Sequence, residues 1–291
     1  MTPRLATLYG WLLLMPAAIL LIAFTHWPTF ATLVSSVFSN GTPIRPARFV
    51  GADNYRALLD DPVFIQAAVN NLWFAFGTVI PSMALAIVMA LWVNEKIPGR
   101  GLLRLAYFTP TILPMVAAAN IWLFFYTPEI GLIDQVLGLF GLPGQNWLGN
   151  PDLVLPSLIV MTIWKEAGFF MIFYLAALQA IPPELREAAL LEGTRRWTFF
   201  WRVTFPLLMP TTLFVLINAL LNAFKLVDHL FILTKGGPNN ASNLLLYYIY
   251  ESAFSFFDTA YAATMTVVLL VFLALLACAK FWLFEKRVHY R

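Results

Sequence analysis

Seven charged side chains, Glu184, Arg186, Glu187, Glu192, Arg195, Arg196 and Arg202, fall within one short segment that has long apolar runs on both sides. Each would cost about 2.5 to 3.5 kcal/mol at the centre of a bilayer, so this segment lies in water. Pro182 and Pro183 suit a helix start, Leu185, Ala188, Ala189 and Glu192 fall at helical spacing, and Gly193 stands where a left-handed residue ends a helix. A second short helix is predicted from Thr194. The outcome is a charged helix-turn-helix whose small Ala188 and Ala189 let a partner's surface approach closely.

A second set of polar residues lies inside apolar runs. Asn218, Asn222, Lys225 and His229 recur at offsets of four, three and four, which predicts a single polar stripe on one helix face. Such a face avoids lipid, and intramembrane ionisable residues mark a bundle interior or a wet cavity. Two roles stay open: lining a solute path, with amides bonding to hydroxyls, or interhelical bonding with Lys225 paired to Asp228. Lys165 and Glu166 sit mid-run after Trp164 and, being adjacent, point about a hundred degrees apart. One can line the cavity while the other pairs with a neighbouring span, for example Glu166 with Lys225. Asn120 and Trp122 add a polar group and an aromatic stacking surface, or simply pack.

Those side chains are positioned by a chain built for lipid: 60% of its 291 residues are hydrophobic and 11% charged, with a mean hydropathy of +0.77. Apolar runs long enough to cross, about 20 residues each, fall at about 8–30, 71–93, 102–126, 153–180, 205–233 and 260–284. The fold expected is all-α, a polytopic membrane protein of six transmembrane helices over residues 1–291 as one transmembrane domain. The charged loop, about 181–204, separates the fourth helix from the fifth. The first run lacks a convincing small-residue cleavage site and is read as a retained span.

With a cytoplasmic N-terminus, the inner side holds Arg4, Lys96, Arg100, Arg104, Arg186, Arg195, Arg196, Arg202, Lys280, Lys286, Arg287 and Arg291, twelve of the eighteen Lys and Arg residues. Only Arg45, Arg48, Arg56 and Lys235 fall outside, a bias that sets both termini in the cytoplasm. Basic residues beside apolar spans answer to membrane orientation, so nucleic-acid binding is excluded. The single Cys278 leaves no intrachain disulfide or cysteine-built metal site.

Outside the spans, Asp53 is placed to cap a short helix with Tyr55, Leu58 and Leu59 on one face, in a loop from about Val37 to Gln66. The Gly- and Pro-rich loop Thr127–Asp152 is expected to be irregular, and Gly236, Gly237 and Pro238 form a turn. These loops offer a receptor a docking surface, or serve only as connectors. No internal repeat or inverted pair of broken helices is visible. No Gly-x-x-x-x-Gly-Lys-Ser/Thr segment occurs, and no paired acid and nucleophile or metal-ligand cluster lies at a membrane face.

Glu187-Ala188-Ala189, Gly193 six residues after the Glu, then Trp197, Phe200 and the stop at Phe205 and Pro206, resemble the EAA loop of permease subunits in binding-protein-dependent ABC importers. Glu192, Thr194 and Phe205 stand where Asp, Ala and Leu are usual. Trp164-Lys165, Ala176 to Pro182, the Gly-Gly-Pro loop and the tail Arg287 to Tyr290 add likeness to the carbohydrate branch, above all to the sn-glycerol-3-phosphate importers. The Asn54 region is similar to that family's Gly-x-Asn-aromatic segment.

The resemblance implies a non-enzymatic permease of the bacterial inner membrane that couples ATPase motion to alternating access. Its solute is sn-glycerol-3-phosphate, a glycerophosphodiester or a sugar such as a maltose-type oligosaccharide. A second related permease, two copies of an ABC ATPase and an extracytoplasmic solute-binding protein are the implied partners. This chain carries no cofactor, since ATP and magnesium belong to the ATPase. Coupling then falls to Glu187, Ala188, Ala189, Gly193, Trp197 and Pro206, and the substrate path to Asn218, Asn222, Lys225, Lys165 and Asn120. A stand-alone secondary carrier is the rival from another class.

Overall fold

The computed structural model describes residues 3–41, 44–95 and 97–284. Lys96, Lys286, Arg287 and Arg291, counted above for orientation, and the tail Arg287 to Tyr290 lie outside the described residues. The described chain is helical, with one isolated bridge between Phe38 and Phe49. That is what lipid demands, because a helix satisfies its own backbone groups. The residues fall into two compact units: one runs to Pro62 and resumes over Ile249–Leu275, and the other is Val63–Tyr248 with the remainder of the last helix.

In the first unit, α1 (Pro3–Leu21) and α2 (Trp27–Ser35) are joined by a π-helical turn, Ile22–His26, and expose large apolar residues between Tyr9 and Val34. After the bridge comes α3 (Asp53–Leu59). Asp53 is the first helical residue and bonds Arg56 instead of capping. Leu58 is buried but Leu59 is exposed, so the expected single face is only part-formed. Asn54 Nδ2 donates to Ser36 O at 3.0 Å and Phe38 O at 2.8 Å, which fixes the helix to the end of α2.

The next helix, α4 (Pro62–Asn94), spans 33 residues, about 50 Å at 1.5 Å per residue. It begins nine residues before the expected span, so the loop expected to run from about Val37 to Gln66 ends at Asp61. The third span is two helices, α5 (Arg100–Ile112) and α6 (Met115–Phe125), bent by 100° at Leu113 and Pro114. The expected straight run 102–126 is therefore broken, because Pro114 has no N–H to continue the ladder.

Residues 127–152 hold α7 (Leu132–Leu139) and are ordered by Asp134, correcting the expectation of an irregular loop. The Asp134 carboxylate accepts from Glu129 N at 2.9 Å, Trp147 Nε1 at 2.7 Å and Gln145 N at 3.2 Å. The fourth span, α8 (Pro151–Gln179), starts with Asn150 Oδ1 accepting from Asp152 N. Next come α9 (Pro183–Leu191) and α10 (Arg196–Phe199), then a second π-helical turn, Phe200–Thr204, that runs into α11 (Phe205–Lys225).

The fifth span also breaks. Leu226 is extended, and α12 (Asp228–Leu233) resumes the helix after Val227. Helices α13 (Leu245–Tyr250) and α14 (Thr259–Phe284) complete the chain, the latter matching the expected last span within one residue. Among the described residues, five helices are long and apolar enough to cross a membrane, six with the bent α5–α6 pair. Helices α5 and α11 both pack on α8, and beyond the two breaks α6 packs on α12.

Candidate functional site

The charged loop is a sequence of local backbone decisions. Pro183 occupies the first turn of α9, where its missing N–H costs nothing. At the other end Gly193 has φ +68°, Thr194 N donates to Ala189 O at 2.9 Å and Gly193 N to Leu190 O at 3.1 Å. This is the six-to-one and five-to-two pairing of a Schellman end, as the placement of Gly193 predicts. The second helix begins at Arg196 and not at Thr194, because Arg195 is extended.

Between those ends, Glu187 and Ala188 are exposed and Ala189 is half-buried. Leu185, Leu190 and Leu191 are exposed around them, Leu191 at 91%. Trp197 is also exposed and meets Trp201 edge-on, with ring centroids 5.6 Å apart. Pro206 sits exposed in the first turn of α11. Arg186 Nη2 donates to Glu95 Oε1 at 3.1 Å and Oε2 at 3.3 Å, so α9 lies at the end of α4. Arg104 Nη2 caps the same end through Val93 O at 3.1 Å.

At the opposite end of α4, Asn70 Nδ2 donates to Asn240 O at 2.8 Å and Asn243 O at 3.0 Å, and Gln66 to Asn239 O at 3.4 Å. The Gly236–Pro238 turn, with Gly237 N bonded to Thr234 O, is thus held at the far end of α4 from α9. Glu95 and α9 thus meet at one end of α4, the arrangement expected when the bent α5–α6 pair counts as one span.

The family described as binding-protein-dependent transport system inner membrane component matches residues 63–289. The chain belongs to this family. The permease is 32% identical over 282 residues to an sn-glycerol-3-phosphate transport system permease protein of Agrobacterium fabrum, with 96% of each chain covered. It is 33% identical to a sulfoquinovosyl glycerol transport system permease protein of the same organism, covering 89% of this chain and 84% of the relative. It is 32% identical to a trehalose/maltose transport system permease protein of Thermococcus litoralis, covering 80% and 79%. In fold, the permease resembles a chain in the crystal structure of a bacterial ABC transporter involved in import of the acidic polysaccharide alginate. There the TM-score is 0.86 at 24% identity, with 98% and 97% covered.

The permease does not assemble the polar stripe as one face. Asn218, Asn222 and Lys225 lie on α11, but the helix ends at Lys225. His229 belongs to α12, where it is fully buried and stacked on Phe74 at 5.6 Å. Asn218 Nδ2 returns to Phe214 O at 2.8 Å on its own helix. Asn222 Nδ2 reaches across to Glu166 Oε2 at 2.9 Å, so Glu166 pairs with the fifth span through Asn222 and not Lys225. Lys225 and Asp228 are both exposed and form no ion pair with each other, since the break lies between them.

Lys165 turns the other way, is 8% exposed, and directs its ammonium at backbone carbonyls of the third span. Asn120 is exposed, with Nδ2 on Val116 O at 2.8 Å. Trp122 is buried against Trp164 and Tyr126, so it offers no ring face for a sugar.

Sequence reasoning missed Asn71, Glu95 and Gly168. Asn71 is buried, donates to Ala223 O at 3.1 Å and accepts from Leu245 N at 3.2 Å, which ties the end of α11 to the start of α13. Two adjacent amides opening an apolar run were its only signal. Glu95 had none, because its partner is 91 residues away.

Proposed function

We propose that this permease forms half of the membrane pore of an ATP-driven importer for a carbohydrate-type solute. A second related permease completes the pore, two ATPase subunits drive it, and an extracytoplasmic binding protein delivers the solute. The observation that carries this reading is the helix α9. It exposes Leu185, Leu190 and Leu191 among its charged residues, is ended by a Schellman turn, and is joined to α8 by only the residues 180–182. A short rigid connection of that kind passes a displacement of α9 directly into the fourth span, and the Arg186–Glu95 pair passes it to α4.

Closure of the ATPase pair on ATP then drags α9 and rocks the bundle between inward-open and outward-open states. ATP and magnesium sit in the ATPase, and both termini of the permease lie in the cytoplasm. The relatives favour sn-glycerol-3-phosphate or a glycerol-linked sugar as solute, since permeases for such solutes are about a third identical along most of the chain. A neutral oligosaccharide is the second reading. It is favoured by the charge balance at the fifth-span break, where exposed Lys225 is offset by exposed Asp228.

Co-purification of the assembled complex, followed by a screen of receptor-delivered solutes for stimulation of ATP hydrolysis, tests both readings. Stimulation by sn-glycerol-3-phosphate supports the first and stimulation by maltose-type sugars the second. Uptake by the purified single chain under an ion gradient, without nucleotide, overturns both.

A further inference from the structure

The carbonyls at the end of α5 have lost their helical partners. Leu113 is extended and Pro114 carries no N–H, so the last turn of α5 ends inside an apolar bundle with acceptors unpaired. Unpaired carbonyls there cost free energy and draw in any donor. The donor is Lys165 of α8. Its Nζ lies 3.1 Å from Pro110 O, 3.3 Å from Thr111 O and 2.7 Å from Leu113 O. An ammonium has three donors, and all three are engaged. Thr111 Oγ1 returns a bond to Lys165 O at 3.1 Å. The positive charge also sits at the negative end of a helix, where it is favoured.

Neighbouring residues of α8 hold the rest of the broken span. Gly168, one turn further on, faces the backbone of α5, and a Cβ there would run into the carbonyl oxygen of Tyr107. Trp164 meets Trp122 of α6 edge-on, with centroids 5.7 Å apart. One stretch of α8 therefore holds α5, the bend and α6, while Glu166 reaches the opposite way to α11.

We propose that Lys165 is a positioning residue for transport: its ammonium pins the bend of the third span to α8, so that α6, and α12 packed on it, move with the fourth span. Its charge is spent on backbone and does not serve the solute. This rests on the permease reading, but the bend itself is measurable whatever the solute.

The test uses the assembled complex carrying Cys278→Ser, with spin labels at Leu105→Cys on α5 and Phe124→Cys on α6, both exposed positions. Double electron-electron resonance should give a narrow distance distribution with Lys165, a broadened or displaced one with Lys165→Met, and a narrow one again with Lys165→Arg. In parallel, uptake of sn-glycerol-3-phosphate should show Vmax about tenfold lower for Lys165→Met, as for loss of one charge-assisted bond, with KM unchanged. An unaltered distance distribution in Lys165→Met overturns the proposal, as does a raised KM at native Vmax, the mark of a solute ligand. If Lys165→Met does not assemble, Lys165→Arg decides: a native distribution supports the pin and a broadened one overturns it. A complex with native Lys165 that shows the narrow distribution yet transports nothing refutes the proposed function and not the pin.

Discussion

Asn222 Nδ2 stands 2.9 Å from Glu166 Oε2, and this bond joins the fifth span to the fourth one turn before the fifth breaks. Replacing Asn222 by Leu removes the donor and leaves a half-buried carboxylate facing an apolar side chain, at a cost of about 1–3 kcal/mol. Glu166→Gln keeps an acceptor for Asn222 and should cost less. Thermal unfolding of the assembled permease should rank wild type above Glu166→Gln and Glu166→Gln above Asn222→Leu. Equal midpoints for the two variants would contradict this.

Lys225 is the cleaner probe of the solute path, because it is exposed and makes no ion pair with Glu166 or Asp228. Lys225→Ala should assemble and unfold as wild type does while lowering uptake several-fold. Unchanged uptake removes Lys225 from the path.

Gly193 carries φ +68°, and a Cβ built on it meets nothing within 4 Å. The cost of a side chain there is thus conformational, about 1–2 kcal/mol for an ordinary residue, least for Asn and most for a β-branched one. Gly193→Val should uncouple ATP hydrolysis from uptake, with Gly193→Asn close to wild type. If Asn is as damaging as Val in the ratio of solute transported to ATP hydrolysed, close approach of a partner is the cause instead.

Burial would raise the Asp134 carboxyl, but the donors Glu129 N, Trp147 Nε1 and Gln145 N outweigh it and hold it below the usual carboxylate range. A group depressed in the folded state adds stability above its unfolded pKa, about 3.9, and loses it as pH falls through the folded value. The loop 127–152 should therefore resist pepsin at pH values above about 4 and become cleavable only in stronger acid. Asp134→Ala should be cleaved across the whole range, and identical digestion of both proteins would refute the assignment.

Arg186 and Glu95 are each about half exposed, with side-chain exposures of 53% and 45%, so the pair adds only about 0.2–1 kcal/mol of stability. Its expected effect is on coupling. Arg186→Glu should lower uptake per ATP with little change in unfolding temperature, and the exchange Arg186→Glu with Glu95→Arg should recover it. No recovery would mean that Arg186 acts elsewhere.

The ends of α9 illustrate what was legible in the chain. Pro183 and Gly193 impose backbone geometry through their own covalent structure, so their placement needed no partner to be read. The six apolar runs were equally plain, because the cost of charge in lipid is paid residue by residue. The breaks in the third and fifth spans were not. Pro114 announces a possible stop, yet Pro81 and Pro156 lie within continuous helices, so proline alone does not tell a kink from a break.

From its sequence this protein was already legible as a membrane permease with six apolar runs and a charged loop between the fourth and fifth, since hydropathy, charge and a contiguous motif are local properties. Only the tertiary structure decided that Lys165 caps a bend, that Glu166 meets Asn222, and that His229 leaves the fifth-span face for a buried stack on Phe74. The partners in those contacts are some fifty to a hundred and fifty residues apart. Which carbonyl is left unpaired, and which distant side chain reaches it, is settled when the helices pack.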